Sequence, residues 1–211
     1  MTTRSHITVL LDRTGSMASI RDDVIGGFNT FLAEQQAAPE PGTLTLVQFD
    51  SQDPYEVITD FAPLRDVAPL TVETYVPRAT TPLYDALGRG ILDLEARLAA
   101  IPDALRPSRV LYVVVTDGLE NASREFDRTR VSALIKAKRE LGWEFIFLSA
   151  DLAAFDDAQS LGIGRNSSLL FGKHKRGNDV AWSLASGKIR ERRAGTSDEV
   201  AFDEGERKSA E

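Results

Sequence analysis

Ile7-Thr8-Val9-Leu10-Leu11-Asp12-Arg13-Thr14-Gly15-Ser16 is an apolar run of strand length that stops on an aspartate, followed by two hydroxyl side chains and a glycine. A second run, Val110-Leu111-Tyr112-Val113-Val114-Val115, stops in the same way on Thr116-Asp117-Gly118. Continuous β-branched runs are typical of strands buried on both faces of a parallel sheet. Residues 6–12 and 109–116 are therefore expected to be interior strands, the second of them central. The C-terminal ends of such strands are where an open α/β sheet builds its sites.

Between and beyond these runs the apolar period changes to that of helices. Ile20, Val24, Ile25, Phe28, Phe31 and Leu32 recur at three-to-four spacing within 17–36, and Pro39 and Pro41-Gly42 stop the pattern. The stretch after Gly42 and the stretch Tyr55 to Phe61 flank Asp50-Ser51-Gln52-Asp53-Pro54, which reads as the turn of a hairpin. Helical spacing returns at Leu83–Leu98 and at Val131–Ala137. A strand is expected at Trp143–Leu148, a short helix near 152–160, a strand near Ser168–Phe171 and a last helix from about Asn178 to Arg190. Strands alternating with helices imply right-handed crossovers. The expected fold is α/β and doubly wound: a mostly parallel central sheet with one antiparallel edge hairpin and helices on both faces. Residues 1–193 are expected to form the domain. Residues 194–211, rich in charges of both signs, are expected to form a disordered tail.

Composition narrows the chemistry. The 211-residue chain carries a net charge of −7 and has no cysteine. Acidic balance disfavours general affinity for nucleic acid or anionic lipid, and the missing thiols exclude disulfides, thiolate zinc sites and cysteine nucleophiles. Residues 1–6 lack the pattern of a secretory signal, and no apolar run reaches the roughly 20 residues of a membrane span, so a cytoplasmic protein is expected. His6 and His174 lack the spacing of a metal pair, and Gly162-Ile163-Gly164 is not a dinucleotide fingerprint.

Asp12, Thr14, Ser16, Thr81 and Asp117 remain as oxygen donors near strand and helix ends. Singly, each has an ordinary explanation: Ser16 as a helix cap, Thr81-Pro82 as a helix start, Asp117-Gly118 as a turn. Together they offer a hard cation an all-oxygen set. As a set they resemble the metal-ion-dependent adhesion site of von Willebrand factor type A domains, which combines an Asp-x-Ser-x-Ser loop, a distant threonine before Pro-Leu, and a later aspartate. Asp12, Thr14 and Ser16 match the loop, with Thr14 in place of the first serine. Thr81, rather than its neighbour Thr80, matches the threonine, and Asp117 matches the aspartate.

The resemblance spans about residues 6–190 and implies a Rossmann-like fold that binds Mg2+ (or Mn2+) through these five residues. It also implies a non-enzymatic, protein-binding role in which a partner protein supplies a Glu or Asp to the metal. Two alternatives stand beside it: a metal-dependent phosphoryl-transfer enzyme with Asp12 as nucleophile, and a structural domain with a vestigial site. The acidic residues Glu199, Asp203, Glu204 and Glu211 are further candidates to occupy the metal of a neighbouring molecule or of their own domain. The basic cluster Lys173-His174-Lys175-Arg176 reads as a solvated loop.

Overall fold

β1 (Ser5–Asp12), β2 (Gly42–Phe49), β3 (Glu56–Pro63), β4 (Arg109–Thr116), β5 (Trp143–Ser149) and β6 (Ser168–Leu170) form one sheet in the order β3-β2-β1-β4-β5-β6. These elements come from a computed structural model that describes residues 4–211. Every neighbouring pair is parallel except β2–β3, the expected edge hairpin. The chain leaves β1 in one direction, towards β2 and β3, then crosses back to place β4 on the other side of β1. That reversal is a topological switch point, which leaves a crevice outside the carboxyl ends of β1 and β4.

All eight residues of β1 are buried, as its unbroken apolar run requires. Alternate side chains serve opposite faces. Ile7, Val9, Leu11, Leu111, Val113 and Val115 pack under α1 (Arg21–Ala37) and α5 (Lys175–Ala194). Leu10, Tyr112, Val114 and Phe147 pack under α2 (Leu83–Ala100), α3 (Arg128–Glu140) and α4 (Leu152–Ser160). Gly27 explains the close approach of α1 to α5, because a Cβ there would fall 2.1 Å from the Trp182 ring. Trp182 in turn lies against Phe28 and Phe31, with ring centroids 6.0 and 5.5 Å away.

Three expectations need correction. The first helix does not start at residue 17: Gly15–Ile20 form a 3-10 turn and α1 begins at Arg21. The last helix is longer at both ends, from Lys175, with His174 Nδ1 accepting from the Gly177 amide, to Ala194, where Gly195 takes the left-handed conformation (φ 78°). The third correction is larger. Residues 194–211 are not a free tail, since Val200, Phe202 and Ala210 are buried in the core under α5. They are few, but each is covered, and α6 (Glu204–Ala210) is started by a reciprocal capping box between Asp203 and Glu206. The Phe202 amide donates to Asn166 O (2.7 Å), the Gly172 amide donates to Ala210 O (3.0 Å), and Lys188 pairs with Glu206 at 3.0 Å. Charge count misled because the ordering cost is offset by a handful of fully buried apolar side chains.

His6 is structural, as expected of an isolated histidine. Its ring stacks on Phe61 (centroids 4.2 Å apart) and lies between the hydroxyls of Thr43 and Thr8. Burial, with a smaller contribution from Arg97, pushes it down to about 3.

Phe202→Ala should cost about 3 kcal/mol of stability, within the range for removing a buried aromatic ring. Urea denaturation would measure it; an unchanged midpoint would mean that residues 194–211 are detached in solution.

Candidate metal centre

The five oxygen-bearing residues converge at the switch-point crevice. Asp12 is the last residue of β1, and its Oδ2 accepts from Thr116 Oγ1 at the end of β4 (2.6 Å), while its Oδ1 accepts from the Thr14 amide (2.7 Å). Ser16 Oγ donates to Asp117 Oδ1 (2.5 Å), Thr14 Oγ1 lies 3.2 Å from Ser16 Oγ, and Thr81 Oγ1 donates to Thr14 Oγ1 (3.3 Å). Thr81, Thr14, Ser16 and Asp117 thus form a continuous chain of oxygens, with the Asp12 carboxylate beneath. Thr80 is not part of it: exposed at the surface, it pairs through its backbone with Ser51. Thr14 keeps its hydroxyl in the cluster, so the extra methyl does not turn it away.

Several surrounding contacts hold these loops. Arg13 turns away, as a residue between two inward-facing neighbours should, and its Nε donates to Asp50 Oδ2 (2.6 Å), which also receives Arg78 Nε (2.9 Å). Arg13 Nη1 donates to Gln48 and Glu56, while its Nη2 is buried without a partner among the described residues. The amide of Arg78 donates to Arg13 O (2.8 Å) and that of Gly15 to Ala79 O (3.0 Å), so the loop carrying Thr81 is stitched to the loop carrying Thr14 and Ser16. Ala79 has a positive φ of 59°, a conformation that costs a non-glycine residue free energy and persists because both sides are pinned. Tyr75, fully buried, donates its hydroxyl to Asp12 O (2.6 Å).

On the β4 side, Glu120 accepts from the amides of Tyr84, Ala122 and Ser123. Asn121 Oδ1 accepts from the Thr81 amide (2.9 Å). Asp85, buried in the first turn of α2, accepts from the amides of Arg124, Glu125 and Phe126 and so supports the loop after Asp117. Sequence reasoning missed Tyr75, Glu120 and Asn121, which reach partners 36–63 residues away. It also misread Lys173. Although its side chain is 45% exposed, its ammonium lies 3.2 Å from Asp117 Oδ2 and 3.3 Å from Asp117 O.

Do these residues fit a divalent cation? Oxygens coordinating Mg2+ at about 2.1 Å in an octahedron lie about 3.0 Å from their neighbours. The observed separations of 2.5, 3.2 and 3.3 Å bracket that value. No three His, Cys, Asp or Glu side chains converge among the described residues. The donor set is therefore mostly neutral hydroxyl, which suits a hard cation that retains water. Ser16 is exposed while Asp12, Thr14, Thr81 and Asp117 are buried, so the cluster opens to solvent on one side.

Electrostatically, burial pushes the Asp12 carboxyl up to about 7; hydrogen bonds from Thr116 and Thr14 oppose the shift and the nearby Asp117 adds to it. An ionised Asp12 with no cation nearby is therefore a cost to the fold.

No protein-family model matches the sequence, and no curated protein is similar to it. Solved structures are similar in fold. The pilus adhesin SpaC of Lactobacillus rhamnosus GG superposes with a TM-score of 0.67 at 13% identity over 90% of this chain and 30% of its own. A von Willebrand factor type A protein from Catenulispora acidiphila gives 0.62 at 12% identity over 89% of this chain and 43% of its own. Proximal thread matrix protein 1 of the mussel byssus, in a structure described as having a zinc-occupied MIDAS motif, gives 0.54 at 13% identity over 88% and 46%. This chain spans less than half the length of each of these three. It has the von Willebrand factor type A fold.

With a raised folded value, Asp12 favours the fold below about 3.8 and loses that contribution as pH rises through about 7. In chelator, Asp12→Asn should therefore stabilise the protein at pH 8, on the order of 4 kcal/mol, and leave it nearly unchanged near pH 4. Thermal unfolding at the two pH values checks this; a destabilised variant at pH 8 would contradict it.

Proposed function

We propose that this chain is a protein-interaction module that captures an acidic residue of a partner through a divalent cation, Mg2+ or Mn2+. Thr14, Ser16, Thr81 and Asp117 would hold the ion, and Asp12 would supply charge from below. The observation that carries the reading is the composition of the cluster, in which three hydroxyls and two carboxylates meet at the mouth of the switch point. Few formal charges around a dication leave it electrophilic, so when bound it supplies an open coordination position attractive to a carboxylate.

The protein's own groups do the positioning. Asp12 orients the Thr14 loop through the Thr14 amide and ties it to β4 through Thr116. Glu120 and Asn121 fix the opposite rim. The zinc-occupied MIDAS of the mussel protein supports a divalent ion in this fold, and the adhesin neighbour supports a protein partner. Phosphoryl transfer by Asp12 draws no support from its surroundings: the side chain is wholly buried and both its oxygens already accept protein hydrogen bonds.

Calorimetric titration with Mg2+ tests the ligand set. Thr14→Ser should bind within about threefold of the native protein and Thr14→Val at least about tenfold more weakly, because only the hydroxyl contributes. Equal affinity for Thr14→Val would remove Thr14 from the site. Partner capture on immobilised protein should vanish in chelator; capture unchanged by chelator would leave a structural domain with a vestigial site.

A further inference from the structure

We infer that Lys173 is a built-in counter-ion to Asp117 that competes with a divalent cation for this carboxylate and releases it when the cation enters. This rests on the metal-dependent reading above and concerns how that site is regulated.

Asp117 has one carboxylate oxygen, Oδ1, engaged by Ser16. The other, Oδ2, has Lys173 Nζ at 3.2 Å, and the same ammonium reaches Asp117 O at 3.3 Å. Lys173 therefore holds the residue proposed as the charged metal ligand by two of its oxygens. The carboxylate is wholly buried, whereas the lysine side chain is 45% exposed, so the pair lies across the boundary between site and solvent. A monocation and a dication drawn to one buried carboxylate repel each other strongly, because screening there is weak.

The lysine can leave without disturbing the fold. Its backbone is pinned on both sides: the Gly172 amide donates to Ala210 O, and His174 caps α5 through the Gly177 amide. The movement is thus confined to a long, flexible side chain that already has one side in water. Closed, the ammonium partly neutralises a site that would otherwise gather two carboxylates with no positive charge. Open, it places a cation at the rim beside the vacated oxygen.

The resulting behaviour is a threshold: divalent cation must outcompete an internal ammonium before the site is loaded. Lys173→Gln should bind Mg2+ about tenfold more tightly than the native protein by calorimetry, since one competing positive charge is removed, whereas Lys173→Arg should restore the weaker affinity. As an independent readout, acylation of Lys173 by an amine-reactive ester, followed by mass spectrometry, should be slow in chelator and faster with Mg2+. In Asp117→Asn it should be fast in both conditions. If the native and Lys173→Gln proteins bind Mg2+ equally and acylation does not respond to it, the counter-ion role is overturned and the metal centre stands. If neither binds Mg2+, the metal centre falls and this inference with it.

Discussion

The hydrogen bond from Thr116 Oγ1 to Asp12 Oδ2, 2.6 Å long, joins the ends of the two central strands, and everything at the crevice is arranged around it. It exists because β1 and β4 stay in register from Ser5 opposite Arg109 to Leu11 opposite Val115. That register brings residues 104 positions apart to one end of the sheet. Slipping it by one residue would turn every alternating side chain to the wrong face, with a core on each side to oppose it. The precision of the site is therefore inherited from the apolar packing of two strands rather than from the polar residues themselves.

On that base the cluster balances burial against charge. Asp12 lies where ionisation is unfavourable, and burial pushes it up to about 7. The neighbouring donors are hydroxyls, which add oxygen without further negative charge, while Lys173 offsets Asp117 from the rim. Arg13, carried between Asp12 and Thr14, is kept out of the crevice by the buried Asp50. A site assembled this way is under-neutralised by its own residues, and under the proposed function it would leave room for another acid once it held a cation.

The sequence carried the architecture well because the informative signals were local. An unbroken β-branched run marks an interior strand, and Pro41-Gly42 and Asp53-Pro54 mark the ends of elements. The five oxygen donors were legible because each stands next to such a signal. Lys173 was not legible: in sequence it belongs to a run of basic residues, and only folding brings it to Asp117, 56 positions away. Glu120 and Asn121 were hidden for a related reason, since backbone amides, which any sequence possesses, are among their partners. The last segment misled in the opposite direction. Its charges are real, but Val200, Phe202 and Ala210 are spaced so that all three meet the same core, and composition cannot register where a few apolar residues point.

Anomalous diffraction from crystals grown with Mn2+ addresses the central claim most directly. One strong peak is expected, bounded by the hydroxyls of Thr14, Ser16 and Thr81 and the carboxylate of Asp117, with the Lys173 ammonium withdrawn from Asp117. No peak there, or a peak only elsewhere on the surface, would contradict the assignment of this crevice as a cation site.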